Sequence, residues 1–168
     1  MRAAVPCLLA AAAAAAAAGC SRKRPVGPTP VSTATVGQCA DPARSGTIGD
    51  SPRLQRADRD LDGDRRAEVV AADRGLCTEE GNCYWNVFTF DERAGCHRYA
   101  GTIAGSVIDL LARRGDDGFH HLRAWWQLTD GSRVLLQEYH FRHGGYRMAE
   151  AMVCRQEGDD RLLCASDH

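Results

Sequence analysis

The sequence predicts an all-β domain, a small disulfide-stapled meander or sandwich made of two similar units, behind a disordered N-terminal tether. Three observations carry this. Short runs rich in β-branched and aromatic residues recur along the chain, with Gly, Asp or Asn in the gaps. Six cysteines follow the N-terminal segment, an even number suited to disulfides. A loop-and-strand pattern near residue 60 returns about fifty residues later.

The chain opens with Met1-Arg2, followed by an apolar stretch over 3–18 that holds an alanine run from Ala10 to Ala18. A charged start, an apolar core and small residues before a cut describe a secretory signal. The apolar stretch, about 16 residues, is shorter than the roughly 20 that a helix needs to cross a bilayer. The ending Ala17-Ala18-Gly19-Cys20 resembles a bacterial lipobox, with Ala17 where that motif prefers leucine. The resemblance implies that residues 1–19 are removed and that Cys20 becomes the lipidated first residue, anchoring the protein to a membrane of the bacterial cell envelope. An ordinary signal peptide cut nearby gives the same compartment without the anchor. Ser21, in the position after the cysteine, resembles the residue choice of lipoproteins sent to the outer membrane.

Residues 20–38 read as the tether. Three prolines and small polar residues offer no periodic apolar face with which to form a core. Arg22-Lys23-Arg24 would sit beside the lipid, where basic side chains favour anionic head groups. The β-domain is placed at 39–168. Without Arg2 the mature chain has a net charge of roughly −2, and no basic excess points to nucleic acid.

In an exported chain, Cys39, Cys77, Cys83, Cys96, Cys154 and Cys164 read as three disulfides. Six cysteines allow fifteen pairings, and spacing alone does not choose among them. Cys77–Cys83 and Cys154–Cys164 are expected as local staples, with Cys39–Cys96 tying down the start of the domain. No C-x-x-C spacing suggests zinc.

The strands are expected over Glu68–Ala72, Tyr84–Phe90, Val107–Ala112, Leu122–Leu128, Arg133–Phe141 and Tyr146–Cys154. Asp130-Gly131 marks a hairpin turn, and His143-Gly144-Gly145 another. Asp64 to Val69 lines up with Asp117 to Leu122, and Phe88-Thr89-Phe90 with Tyr139-His140-Phe141, so each unit reads as loop, strand, strand, turn, strand. Two such units are too few to close a propeller, which takes four to eight blades.

One stretch carries chemistry: Asp58-Arg59-Asp60-Leu61-Asp62-Gly63-Asp64-Arg65-Arg66-Ala67-Glu68. Calcium takes six to eight oxygen ligands, and alternate acids on a tight loop can converge on one ion. Starting from Asp58, the run imitates an EF-hand but places Val69 where the bidentate glutamate belongs. Starting from Asp60, it puts Asp60, Asp62 and Asp64 at positions 1, 3 and 5, the Arg66 carbonyl at 7 and Glu68 at 9. This second register resembles the calcium loop of the FG-GAP/VCBS repeats, which run Asp-x-Asp-Gly-Asp-Gly into Leu-Val-Val. The resemblance implies a structural calcium ion held by Asp60, Asp62, Asp64 and Glu68 side chains and the Arg66 main chain. Arg65 stands where those repeats carry glycine, at a point whose backbone often needs positive φ. The competing reading is a solvated acidic turn balanced by its own arginines. In the second unit Arg113, Gly115 and His121 occupy ligand positions, so no second site is expected.

No catalytic residue is assigned. Gly-x-Ser-x-Gly, a phosphate-binding glycine loop and His-Glu-x-x-His are all missing. Neighbours on a strand face opposite sides, so His120 and His121 are not expected to share an ion, and His140 and His143 differ in parity. The aromatic residues are expected mainly in the core, with Trp85 and one of Trp125 or Trp126 the best candidates for exposure. The function expected is binding or structural support in the envelope, with an unidentified protein or glycan as partner. The alternative is a calcium-independent ligand-binding domain using an aromatic face, and an envelope enzyme or histidine-metal protein comes third.

Overall fold

The computed structural model describes residues 34–43, 53–157 and 161–165. The signal segment, Cys20 and most of the tether lie outside the described residues. Two antiparallel sheets make up the domain, in the order β1 (Leu54–Arg56), β2 (Val69–Asp73), β3 (Cys83–Asp91), β4 (Cys96–Gly105), then β5 (Val107–Arg114), β6 (His120–Gln127), β7 (Arg133–Arg142), β8 (Gly145–Glu157) and β9 (Arg161–Ala165). Every strand pairs with its sequence neighbours, so each sheet is a plain meander. All six expected strands are present, and Val107–Ala112 is indeed extended. Among the described residues one 3-10 turn is present, Arg74–Leu76, directly after β2.

The doubling lies in the backbone as well as the composition. The β3–β4 ladder shifts register between Val87 and Phe88, and the β7–β8 ladder between Glu138 and Tyr139, 51 residues on. Such bulges re-aim the strand and increase its twist. The buried amides of Asn86 and Gln137 precede the shift in each unit.

The two sheets pack face to face, and β4 lies against β6 and β8. Between them Leu61, Val70, Trp85, Val87 and Ile103 meet Leu122, Ala124, Tyr139 and Tyr146. The run Val69-Val70-Ala71-Ala72 is buried throughout, as a strand covered on both faces must be. Its second face, with Phe88 and Tyr99, packs beneath Ala34, Val36 and Ala40.

That contact corrects the domain boundary. Residues 34–38, assigned to the tether, are hydrogen-bonded to β4: the Gly37 N–H donates to Tyr99 O at 2.8 Å and the Tyr99 N–H to Gln38 O at 3.0 Å. Val36 supplies the apolar cover that composition averaging hides. The three disulfides are Cys39–Cys96, Cys77–Cys83 and Cys154–Cys164, the pairing expected from sequence.

Trp85 is also corrected. It is 6% exposed, and its indole N–H donates to Gly105 O at 3.0 Å. Its parity on β3 matches Val87, which faces the other sheet. Trp126 lies half-buried against Tyr84.

Candidate functional site

The acidic loop spans the gap between β1 and β2 at one end of the sandwich. Two features fold it. Leu61, sitting between Asp60 and Asp62, is 1% exposed and plugs into the core shared by both sheets. Its carbonyl accepts from the His120 N–H of the second sheet at 2.7 Å. The acids around it then close the backbone. Asp60 accepts from the N–H groups of Gly63 at 2.5 Å and Arg65 at 3.0 Å, Asp62 from Asp64 at 3.0 Å, and Asp64 from Arg66 at 2.7 Å. The last two are Asx turns, the local bonding that short acidic side chains favour, while Asp60 reaches three and five residues along to close the loop.

The loop needs positive φ twice, at Gly63 (82°) and at Arg65 (70°). The left-handed conformation expected at position 65 is thus present, on a side chain that tolerates it poorly. At Gly63 an added Cβ would also press on the Arg114 guanidinium, the movable end of a long side chain, so the positive φ is the stronger reason for glycine.

Asp60, Asp62 and Glu68 converge: one carboxylate oxygen from each lies within 4.8 Å of the others. Asp64 stands outside this group, turned to the Arg66 N–H. Asp58 belongs elsewhere, paired with Arg56 and accepting from the Val70 N–H, which disposes of the register beginning there. Glu68 is 8% exposed, and one of its oxygens accepts from the Leu61 N–H at 2.6 Å. Burial pushes its carboxyl up to about 7, and repulsion from Asp62 and Asp64 adds to this against the Leu61 hydrogen bond.

The arginines do not neutralise the cluster. Arg66 pairs with Glu92 on the turn after β3. Arg114, from β5, donates to the main-chain carbonyls of Asp62 at 2.6 Å and Gly118 at 3.2 Å. Among the described residues no cation pairs with Asp60, Asp62 or Glu68.

No protein-family model matches this chain, and no curated protein or solved structure matches it either. The site is therefore read from its own geometry. Leu61 and Arg114 are the residues that sequence reasoning missed here. Leu61 carried a signal, an isolated apolar residue within a run of acids. Arg114 carried none, because only the packing of the sheets brings it to the loop.

A pH prediction follows for the metal-free protein. The Glu68 carboxyl is raised in the folded state above its value in the unfolded chain, so folded protein holds the extra proton between about pH 4.5 and 7. Stability is accordingly greatest at the acid end of this window and falls as pH rises through it. Screening by the open loop reduces the loss to on the order of 1–2 kcal/mol. Urea midpoints in EDTA at pH 5 and pH 7.5 should show it, and Glu68→Gln should remove most of it. Equal slopes for the two proteins would disprove the assignment.

Proposed function

We propose that this domain is a lipid-anchored binding or structural module of a bacterial cell envelope, and that its acidic loop holds a structural calcium ion. The single observation behind the calcium reading is the convergence of Asp60, Asp62 and Glu68 with no cation paired to them. Three carboxylates at such separation repel one another, and a hard divalent cation relieves that repulsion. Asp60, Asp62 and Glu68 would supply side-chain oxygens. Asp64 and the Arg66 carbonyl complete the set that the FG-GAP/VCBS resemblance implies. The ion would replace the proton on Glu68 and brace the loop between the two sheets, a mechanical role.

The envelope address rests on the N-terminal segment together with the three disulfides, which persist in oxidising compartments. The disulfides also suit a small domain whose core alone is modest. A second reading, ligand binding through an aromatic face without calcium, is favoured only by the half-buried Tyr84–Trp126 pair, ring centroids 5.5 Å apart.

A thermal melt of the full chain, disulfides intact, in EDTA and in about 10 mM calcium separates these. For a dissociation constant on the order of 0.1 mM, linkage predicts about 2.7 kcal/mol of stabilisation. That corresponds to a rise in Tm of about 5–15 °C. The rise should vanish in Asp62→Ala. An unchanged Tm with a cooperative transition would reduce the loop to a surface turn.

A further inference from the structure

We propose that His121, Glu138 and His140 form a binding site for a divalent transition-metal ion of the zinc type on the outer face of the second sheet. The hairpin centred on Asp130-Gly131 pairs Leu122 with Tyr139 and Arg123 with Glu138, which sets His121 across from His140. Glu138 precedes His140 by two residues and so shares its face. The two imidazoles stack with centroids 3.7 Å apart, and one ligand atom from each of the three residues lies within 4.8 Å of the others.

The separations bracket those of a coordination shell. His140 Nε2 lies 2.8 Å from Glu138 Oε1, and His121 Nδ1 lies 3.5 Å from the same oxygen. With zinc–ligand bonds of about 2.0–2.1 Å, a tetrahedral shell holds its ligand atoms roughly 3.3–3.4 Å apart. The 2.8 and 3.5 Å separations lie on either side of that value, and the two imidazole nitrogens lie within 4.8 Å of each other.

A second observation concerns the same pair of residues. His121 Nδ1 is buried and has no well-formed hydrogen-bond partner, since it meets Glu138 Oε1 only at 3.5 Å. Folded proteins rarely leave such an atom without one, and a metal ion between it and Glu138 would satisfy it.

The surroundings also suit a site. Arg113, 64% exposed, grips both Glu138 oxygens at 2.8 Å and orients the carboxylate from outside, as second partners of metal ligands do. Arg142 donates to His140 Nδ1 at 3.2 Å, and metal uptake at Nε2 would move the ring proton to Nδ1 and release that contact. Two guanidiniums near the ion oppose its charge, so binding should be weaker than at a site without them. Beside the imidazoles runs a groove of about 630 Å³, lined by Gly115, Asp117, Arg142 and His143, which leaves one side of the ion open to water or to a small anionic ligand. His120 takes no part, because its Nδ1 is engaged with Leu111 O at 2.7 Å.

The test is titration of the tag-free full chain with zinc chloride, by calorimetry in excess calcium so that the acidic loop does not compete. Cobalt absorption reports the ligand type. One zinc per chain is expected, with affinity falling at least about 100-fold in His140→Ala and in Glu138→Gln, and unchanged in Asp62→Ala and His143→Ala. Thermal melts of each variant establish that it is folded, and His121→Asn serves if His140→Ala is not. Absence of saturable binding by folded wild-type protein at 100 micromolar zinc, or binding that survives His140→Ala but not His143→Ala, would overturn the proposal. Failure of the calcium loop would leave it untouched, since the two sites share no residue.

Discussion

Replacing Leu61 with alanine is expected to destabilise the domain by about 3 kcal/mol and to abolish its response to calcium. Truncating a fully buried leucine costs about 2–5 kcal/mol, the lost transfer energy plus the cavity left behind. Leu61 is 1% exposed and packs in the core between the sheets, with Leu122 and Ile103. Collapse around the gap is hindered because β2 and β6 are already held in their ladders. The second effect comes through the backbone. The Leu61 N–H directs the Glu68 carboxylate, and the Leu61 carbonyl is bonded to His120 of the other sheet. Once the side chain no longer seats, Asp60 and Asp62 lose their fixed position relative to Glu68. Urea denaturation with and without calcium would measure both. A loss under about 1 kcal/mol, or a full calcium shift in Leu61→Ala, would show that the loop is positioned by its own Asx turns and not by the core.

Removing the Cys39–Cys96 disulfide should be the most damaging of the three such changes. The loop it closes spans a separation of 57 residues, against 10 for Cys154–Cys164 and 6 for Cys77–Cys83. Chain entropy then assigns about 4 kcal/mol to the first and about 2–3 kcal/mol to each of the others. The structure adds a reason of its own. Cys39 lies in the segment that bonds to β4 and carries Val36 and Ala40 over Val69, Ala71, Phe88 and Tyr99. With serine at both positions, only a few hydrogen bonds hold that cover in place. Loss of stability should therefore come with faster amide exchange at Gly37, Ala40 and Tyr99. If the Cys77/Cys83 double serine variant proves less stable than the Cys39/Cys96 one, the covering segment contributes little.

Some elements were legible because their signal is local. Asp130-Gly131 and His143-Gly144 mark their turns by residue type alone, and His143 and Gly144 both adopt the positive φ that a two-residue hairpin turn demands. At Asp130-Gly131 the loop is four residues long, closed by the Leu128 N–H on Arg133 O, yet its centre is the one expected. That centre already determines that His121 faces His140. The histidines were missed because parity was weighed within each strand and not across the hairpin. β1, the limits of β4, and β9 were not marked in the sequence. β4 holds Ala100 and Gly101 at its bulge and owes its extension to β3 on one side and residues 37–40 on the other.

The sequence by itself determined the all-β class, the two-unit layout and the acidic loop, each written in near neighbours and their repetition, and its even count of cysteines implied three disulfides without fixing their partners. Only the tertiary structure decided that residues 34–38 belong to the domain, that Trp85 lies inside, and that Asp64 stands apart from Asp60, Asp62 and Glu68. It also decided that Arg114 braces the loop. The physical reason is that each of these depends on which strand lies opposite and which face is covered. Those are contacts between residues far apart in the chain, and local propensity and spacing carry no record of them.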